Sequence, residues 1–283
     1  VTVAVVTDST AYFPSDAVVD GIAVIPLTVL ADGVAFREPE EMPPSKAVEL
    51  LRRGVRLTTS RPSPAVFART YEKLLSGGAD GIVSVHLSGR LSGTVEAAHI
   101  AARHIGGDIR VVDSESVGMG MGFAVLAGQA AARSGADLDR VHQVVERVLR
   151  ATRLYCYVDT LEFLRRGGRL GTVPALVGTA LAVKPILAVE DGRLVPIERV
   201  RTAARGLTRL ADIAAEYTDG FPVSVTVHHL DAAFRADRLA ADLDARLPHL
   251  RELYVAEIGA VVGAHTGPGT VAVAVQRLTD GER

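Results

Sequence analysis

Short, mainly apolar runs alternate with helical patterns through the first half of the chain, and few folds accept that alternation. Val1–Val6, Gly81–Leu87 and Ile109–Val112 are runs of strand length, as expected of strands covered on both faces. Helical patterns at Ala65–Leu75, Thr94–Ile105, Phe123–Arg133 and Asp139–Arg150 separate or follow them. Parallel strands need such crossovers, whereas antiparallel ones close with tight turns. The reading is therefore an α/β fold, with a mostly parallel sheet carrying helices on both faces.

The second half has a different rhythm. Val183–Val189 and Leu194–Val200 flank Asp191-Gly192, a dipeptide suited to a tight hairpin turn with positive φ. A helix (Ala203–Tyr217), a strand (Val223–His228), a helix (Ala232–Ala245) and two strands (Glu252–Ile258, Thr270–Gln276) complete an α+β two-layer pattern. We expect two domains, residues 1–155 and 156–283, with a small insertion at about 21–56 holding a hairpin and one helix.

Composition narrows the function. Hydrophobic residues are 48% and charged residues 23% of the 283, with net charge −2 and no tryptophan. That fits a core-rich globular protein and disfavours nucleic-acid binding, which calls for a basic surface with stacking aromatics. Cys156 is the only cysteine; it permits no internal disulfide and reads as a buried, inert thiol in a strand. With no basic leader at Val1–Val6, and Pro174, Lys184 and Pro185 interrupting the longest apolar region, the cytoplasm is the expected address and any membrane contact transient.

Three polar stretches stand out: Thr59-Ser60-Arg61-Pro62-Ser63, Ser88-Gly89-Arg90-Leu91-Ser92-Gly93-Thr94, and Gly263-Ala264-His265-Thr266-Gly267-Pro268-Gly269. Ser92-Gly93-Thr94 opens a helix and suits either a cap or an anion site. Ser63-Pro64 reads as a helix entry, which leaves Thr59 and Ser60 to present hydroxyls elsewhere. Arg165, Arg166 and Arg169 surround Gly167-Gly168, and Arg199 and Arg201 end the hairpin. Such runs are commonly solvated surface, but Arg169 could form a fork for a carboxylate or phosphate. Gly118-Met119-Gly120-Met121-Gly122 fails the dinucleotide fingerprint and reads better as close helix packing. His228-His229 and Asp231 read as a strand end and helix cap rather than a metal site. Neither a Walker A motif nor a G-x-S-x-G elbow occurs; a serine esterase using Ser92 and His265 would lack an evident orienting acid.

These stretches, together with Val5-Val6-Thr7-Asp8-Ser9, Val112-Asp113-Ser114, Leu161 to Gly171 and Val200-Arg201-Thr202, resemble the DegV family across essentially the whole chain. Leu87 and Arg90 depart from the smaller residues common in that loop. The resemblance implies a non-catalytic carrier that buries a long-chain fatty acid between two α/β domains, with no cofactor. Its partner would be a separate ATP-dependent fatty acid kinase that makes an acyl phosphate for phospholipid synthesis. Thr59, Ser92, His265 and Arg169 would hold the carboxylate. Ser60, Gly93, Thr94 and Gly267 would support the head-group loops, and Arg201 would face the partner or the phosphate. Phe123–Ala132 and Val173–Val183 are the candidates for tunnel lining. About 14 methylenes at about 0.8 kcal/mol each offer roughly 11 kcal/mol before binding costs. The tail should therefore dominate affinity, and the polar cluster orientation. Another apolar carboxylate remains an alternative ligand.

Overall fold

A computed structural model describes residues 2–170 and 184–278. Its centre is a parallel four-stranded sheet in the order β2-β1-β6-β7, built from β1 (Val3–Asp8), β2 (Ile22–Ile25), β6 (Gly81–His86) and β7 (Ile109–Asp113). Alternation along β1 sends Val3 and Val5 to one face and Val6 to the other. Helices α2 (Pro64–Ser76) and α3 (Thr94–Ile105) cover the Val6 face, with Phe67, Tyr71, Ala97 and Ala98 packed into it. Helices α4 (Met119–Arg133) and α5 (Leu138–Arg150) cover the other.

The second sheet has six strands in the order β10-β9-β8-β13-β11-β12 and mixed direction. Its members are β8 (Thr152–Tyr157), β9 (Lys184–Glu190), β10 (Arg193–Val200), β11 (Val223–His229), β12 (Leu250–Glu257) and β13 (Val271–Arg277). Helices α7 (Ala203–Thr218) and α8 (Ala233–Arg246) close one face over Val225, Val227, Val273 and Val275. The other face, with Leu154, Cys156, Leu187 and Ala274, joins the core under the parallel sheet.

Helix α4 lies between the two sheets and touches β1, β8 and β13, which explains why it is apolar nearly all round. Its glycines serve that packing. A side chain at Gly128 would meet Val145, and one at Gly120 would meet Ser116 and Leu154. Gly118 has φ +61 and lies against His228, whose Nε2 accepts the Met119 N–H at 2.9 Å. His228 therefore ties the six-stranded sheet to the start of α4; burial holds its pKa down at about 4. Among the described residues no His, Cys, Asp or Glu group could hold a metal. Asp231 does not cap α8, contrary to the sequence reading, but pairs with Arg52.

A third sheet, antiparallel in the order β4-β3-β5, comprises β3 (Thr28–Ala31), β4 (Val34–Arg37) and β5 (Leu57–Ser60). Helices α1 (Pro44–Arg52) and α9 (Ala260–Thr266) pack beside it. Within the stretch 21–56, β3 and β4 form a hairpin and α1 the one helix, whereas β2 is an edge strand of the parallel sheet; β5, just past that stretch, joins the hairpin as a third strand. β8 lies wholly in the six-stranded sheet, so a division between residues 155 and 156 falls inside a strand. No helix among the described residues is long and apolar enough to cross a membrane.

Candidate functional site

In open parallel sheets, ligands collect beyond the carboxyl ends of the strands where the order reverses. Here that point lies between β1 and β6, whose ends deliver Asp8-Ser9 and the loop Leu87–Gly93. A cavity of about 70 Å³ sits there. Its apolar walls include Leu27, Leu87, Leu91, Val117, Leu164, Leu194 and Val261. Its polar lining is Thr59, Ser60, Arg61, Ser92, Arg169, His265 and Thr266. The fold thus gathers five sequence candidates, Thr59, Ser60, Ser92, Arg169 and His265, from positions up to 206 residues apart.

Thr59 projects from β5 and His265 from the last turn of α9, with Thr59 Oγ1 and His265 Nε2 2.8 Å apart. Burial, then the nearby Arg169 charge, hold the His265 pKa down at about 4, so the ring is neutral at pH 7. Its Nδ1 is buried and without a hydrogen-bond partner among the described residues. Either tautomer is useful to an acceptor. If Thr59 donates to Nε2, then Nδ1 carries a proton; if Nε2 donates to Thr59, the threonine hydroxyl proton is released.

Arg169 is placed by the end of α6 (Glu162–Gly167). Gly168 takes φ +69, and the Arg169 N–H returns to the Leu164 carbonyl at 3.1 Å, a helix stop that glycine makes inexpensive. A bridge between Leu170 and Leu194 then ties the segment to the hairpin. The guanidinium donates from Nε to Leu91 O at 3.1 Å and from Nη1 to Gly167 O. A guanidinium has five N–H donors, so others are available to an anion, and Arg169 supplies the positive charge that His265 does not.

Ser92 does not cap α3. Its hydroxyl pairs with Thr94 Oγ1 at 2.9 Å, and Gly93 occupies the cap position without a side-chain bond. Arg61 donates to Gly93 O at 2.9 Å and lies over that glycine. Ser88 pins the same loop to the hairpin turn by donating to Gly192 O at 2.7 Å. Thr94 is fully buried. Gly267 stands outside the cavity, ending α9 at φ +77 with the Phe163 ring where a side chain would be. Arg201 is exposed just past β10. It follows Leu194 by seven residues, about 23 Å along an extended strand, and does not line the cavity.

The expected lining from α4 is not found: no residue of Phe123–Ala132 borders this cavity. Phe123, Leu126 and Ala127 border a separate groove with Asp16 and Tyr254. Val173–Val183 lies outside the described residues. The sequence reading also missed a buried line of side chains. Tyr71 donates to Ser84 at 2.9 Å, Ser84 Oγ lies 2.7 Å from His86 Nε2, and His86 Nδ1 lies 3.0 Å from Asp8 Oδ2. It has the residue types of a hydrolytic triad, but every member is fully buried and none borders the cavity. Its one visible signal was Asp8 itself, before Ser9 at the end of β1.

A family model described as "Uncharacterised protein, DegV family" matches residues 2–278. A DegV domain-containing protein of Streptomyces coelicolor is 48% identical over 274 residues, covering 96% of this chain and 98% of its own. A solved DegV family protein of Thermus thermophilus, described by its fatty acid binding, is 35% identical. It superposes with TM-score 0.92 over 98% of this chain and 100% of its own. DegV of Bacillus subtilis, described as a fatty acid binding protein, is 31% identical with TM-score 0.89 over 98% and 99%. With the fold and cavity already described, these matches establish that the chain belongs to the DegV family.

Proposed function

We propose that this protein is a carrier that buries a long-chain fatty acid, with the carboxylate at the Thr59–His265–Arg169 end of the cavity. One observation carries the reading: a charged guanidinium, a neutral histidine and the threonine hydroxyl it meets converge in a cavity whose remaining wall is largely Leu and Val. An apolar wall suits a tail, and clustered donors suit a carboxylate. The solved relatives described as fatty acid binding support the same ligand class. Ser92 adds a hydroxyl, while Ser60, Gly93, Thr94 and Gly267 shape the surrounding loops.

In the full reading the carrier presents the carboxylate to a separate ATP-dependent kinase. A carboxylate oxygen attacks the γ-phosphorus, ADP leaves, and an acyl phosphate results. Exposed Arg201 is the group we assign to that encounter, and we assign the ligand to a position between the two domains. The protein itself then performs no catalysis. The esterase alternative is weaker, because the recorded hydrogen bond of His265 goes to Thr59 and that of Ser92 to Thr94.

Native mass spectrometry of the purified protein, followed by extraction and identification of bound lipid, tests the carrier directly. One long-chain fatty acid per chain is expected, and retention should fall in the Thr59→Ala, Ser92→Ala double variant while its melting is unchanged. A protein that stays empty after incubation with fatty acids, or an unaltered lipid content in that variant, would overturn the assignment. Turnover of an acyl ester abolished by Ser92→Ala would favour the esterase.

A further inference from the structure

Helix α9 carries His265 but has no cap of its own. Its cap residue is Gly259, which offers no side chain, and any side chain there would collide with Glu38 and Tyr12. The first N–H groups of a helix need acceptors from elsewhere. Glu38, just past β4, supplies one: its Oε1 accepts the Val261 N–H at 2.9 Å. Tyr12 supplies another, its hydroxyl oxygen accepting the Val262 N–H at 3.1 Å while its proton goes to Glu38 Oε1 at 3.1 Å.

The other carboxylate oxygen reaches the opposite wall. Ser9 donates to Glu38 Oε2 at 2.8 Å, and the Ser9 oxygen accepts the Leu27 N–H at 3.1 Å. Glu38 is 1% exposed and does not itself border the cavity, whereas Leu27, Val261 and Val262 do. One buried carboxylate therefore fixes two walls that arise from distant parts of the chain. Val261 and His265 are four residues apart, on one face of a helix about 10 Å long, so the position of Val261 sets that of the imidazole.

We infer that Glu38, through the backbone of α9 and assisted by Tyr12, is a positioning residue for the head-group end of the cavity. It holds His265 against Thr59 without touching the ligand. The inference rests on the fatty-acid reading for its consequence, but its structural half can be tested without ligand.

The experiment compares wild type, Glu38→Gln, Glu38→Ala and Tyr12→Phe in two measurements. The first is NMR titration of the His265 ring in the ligand-free proteins, with His265→Ala giving the assignment. Glu38→Ala should free the start of α9, expose the ring and raise its pKa toward the ordinary histidine value. Glu38→Gln keeps an acceptor for Val261 and should restore most of the wild-type titration, and Tyr12→Phe should give a partial shift. The second is competition binding of palmitate and of its methyl ester. Glu38→Ala should weaken palmitate by roughly tenfold to a hundredfold and the ester much less, because a misplaced head-group clamp leaves the tail's wall intact. An unshifted His265 titration in Glu38→Ala would overturn the inference, as would equal loss of both ligands or a Gln variant as impaired as Ala. If Glu38→Ala does not fold, Tyr12→Phe, which removes one acceptor and keeps the carboxylate, decides the same question. A wild-type protein that binds no palmitate would sink the fatty-acid reading while leaving the titration test standing.

Discussion

Two histidine sites lie near the ends of β1 and β6, and they are built to opposite rules. At His86 every bond closes. The imidazole lies between Ser84 and Asp8, and Asp8 also accepts the Leu87 N–H, the Thr10 N–H and the Thr10 hydroxyl. At His265 one nitrogen meets Thr59, and the other packs against Gly167 with no hydrogen-bond partner among the described residues. A buried donor or acceptor left unpaired costs free energy, so a fold tolerates one where something else completes it. The closed network organises the loop; the open one is where we propose that the ligand's carboxylate is held. Residue types alone favour the closed site, since Ser84, His86 and Asp8 look the more catalytic, yet none of them borders the cavity.

Breaking the closed site should cost the most. Asp8→Ala leaves four facing donors without their acceptor, and removing one partner from a buried pair typically costs about 3–5 kcal/mol. Urea unfolding should register that loss, while the fraction that folds still binds ligand. A loss below about 1 kcal/mol would mean the network is not the scaffold described.

Acid should act next, through the buried groups His228, His265 and Glu38. His228 and His265 have pKa values held down at about 4, both chiefly by burial. The unfolded chain therefore binds two more protons than the native one between about pH 4.5 and 6.5, and stability from these groups falls as pH falls. Glu38 acts in the opposite sense. Its pKa is raised by burial to about 7, so its native form holds a proton that the unfolded chain lacks over that window. The three together leave one net proton, a slope of about 1.4 kcal/mol per pH unit. Glu38→Gln should roughly double that slope, and His228→Gln should nearly flatten it. Unfolding free energies measured at half-unit intervals would show whether the slopes order this way.

Breaking the open site should cost binding instead. His265→Ala removes a group that few side chains depend on, so its melting temperature should stay within a few degrees of wild type. Affinity for palmitate should drop by roughly tenfold to a hundredfold, the range for hydrogen bonds to a charged group. Isothermal titration beside a melting curve separates the two effects. Equal losses in stability and affinity would erase the distinction between the sites.

The sequence foretold the repeating architecture better than the site's scaffold. Helix α3 runs over Thr94–Ile105 as its pattern indicated, and the Asp191-Gly192 hairpin formed where expected, because periodicity and turn chemistry are local. Thr59, Ser92 and His265 stood out as members of polar stretches in an apolar chain and Arg169 as an arginine beside a glycine pair, but their assignment to one site came from the family resemblance. Helix α9 was missed. Seven residues, three of them β-branched and one a glycine, with no cap in their own sequence, give no helical signal; the acceptor that starts this helix is Glu38, 223 residues away. Strand β5 was missed for a similar reason, as Leu57–Ser60 becomes a strand only by pairing with β3. Contacts between distant segments, rather than local propensity, made the cavity wall.

Arg201 offers the smallest effect and the sharpest control. It is exposed beyond β10 and distant from the cavity's lining, so Arg201→Ala should shift stability by no more than about 0.5 kcal/mol, as surface substitutions commonly do. Palmitate affinity should also be unchanged, since no wall of the cavity depends on this side chain. If the proposed encounter with a kinase is right, the effect appears only when a kinase is added, as slower acyl phosphate formation from a fully loaded carrier. A measurable loss of ligand affinity in Arg201→Ala would place the residue functionally at the cavity despite its position, and would count against assigning it to the partner. Equal acyl phosphate yield from variant and wild type would instead leave the ligand-binding clamp intact and remove Arg201 from the encounter.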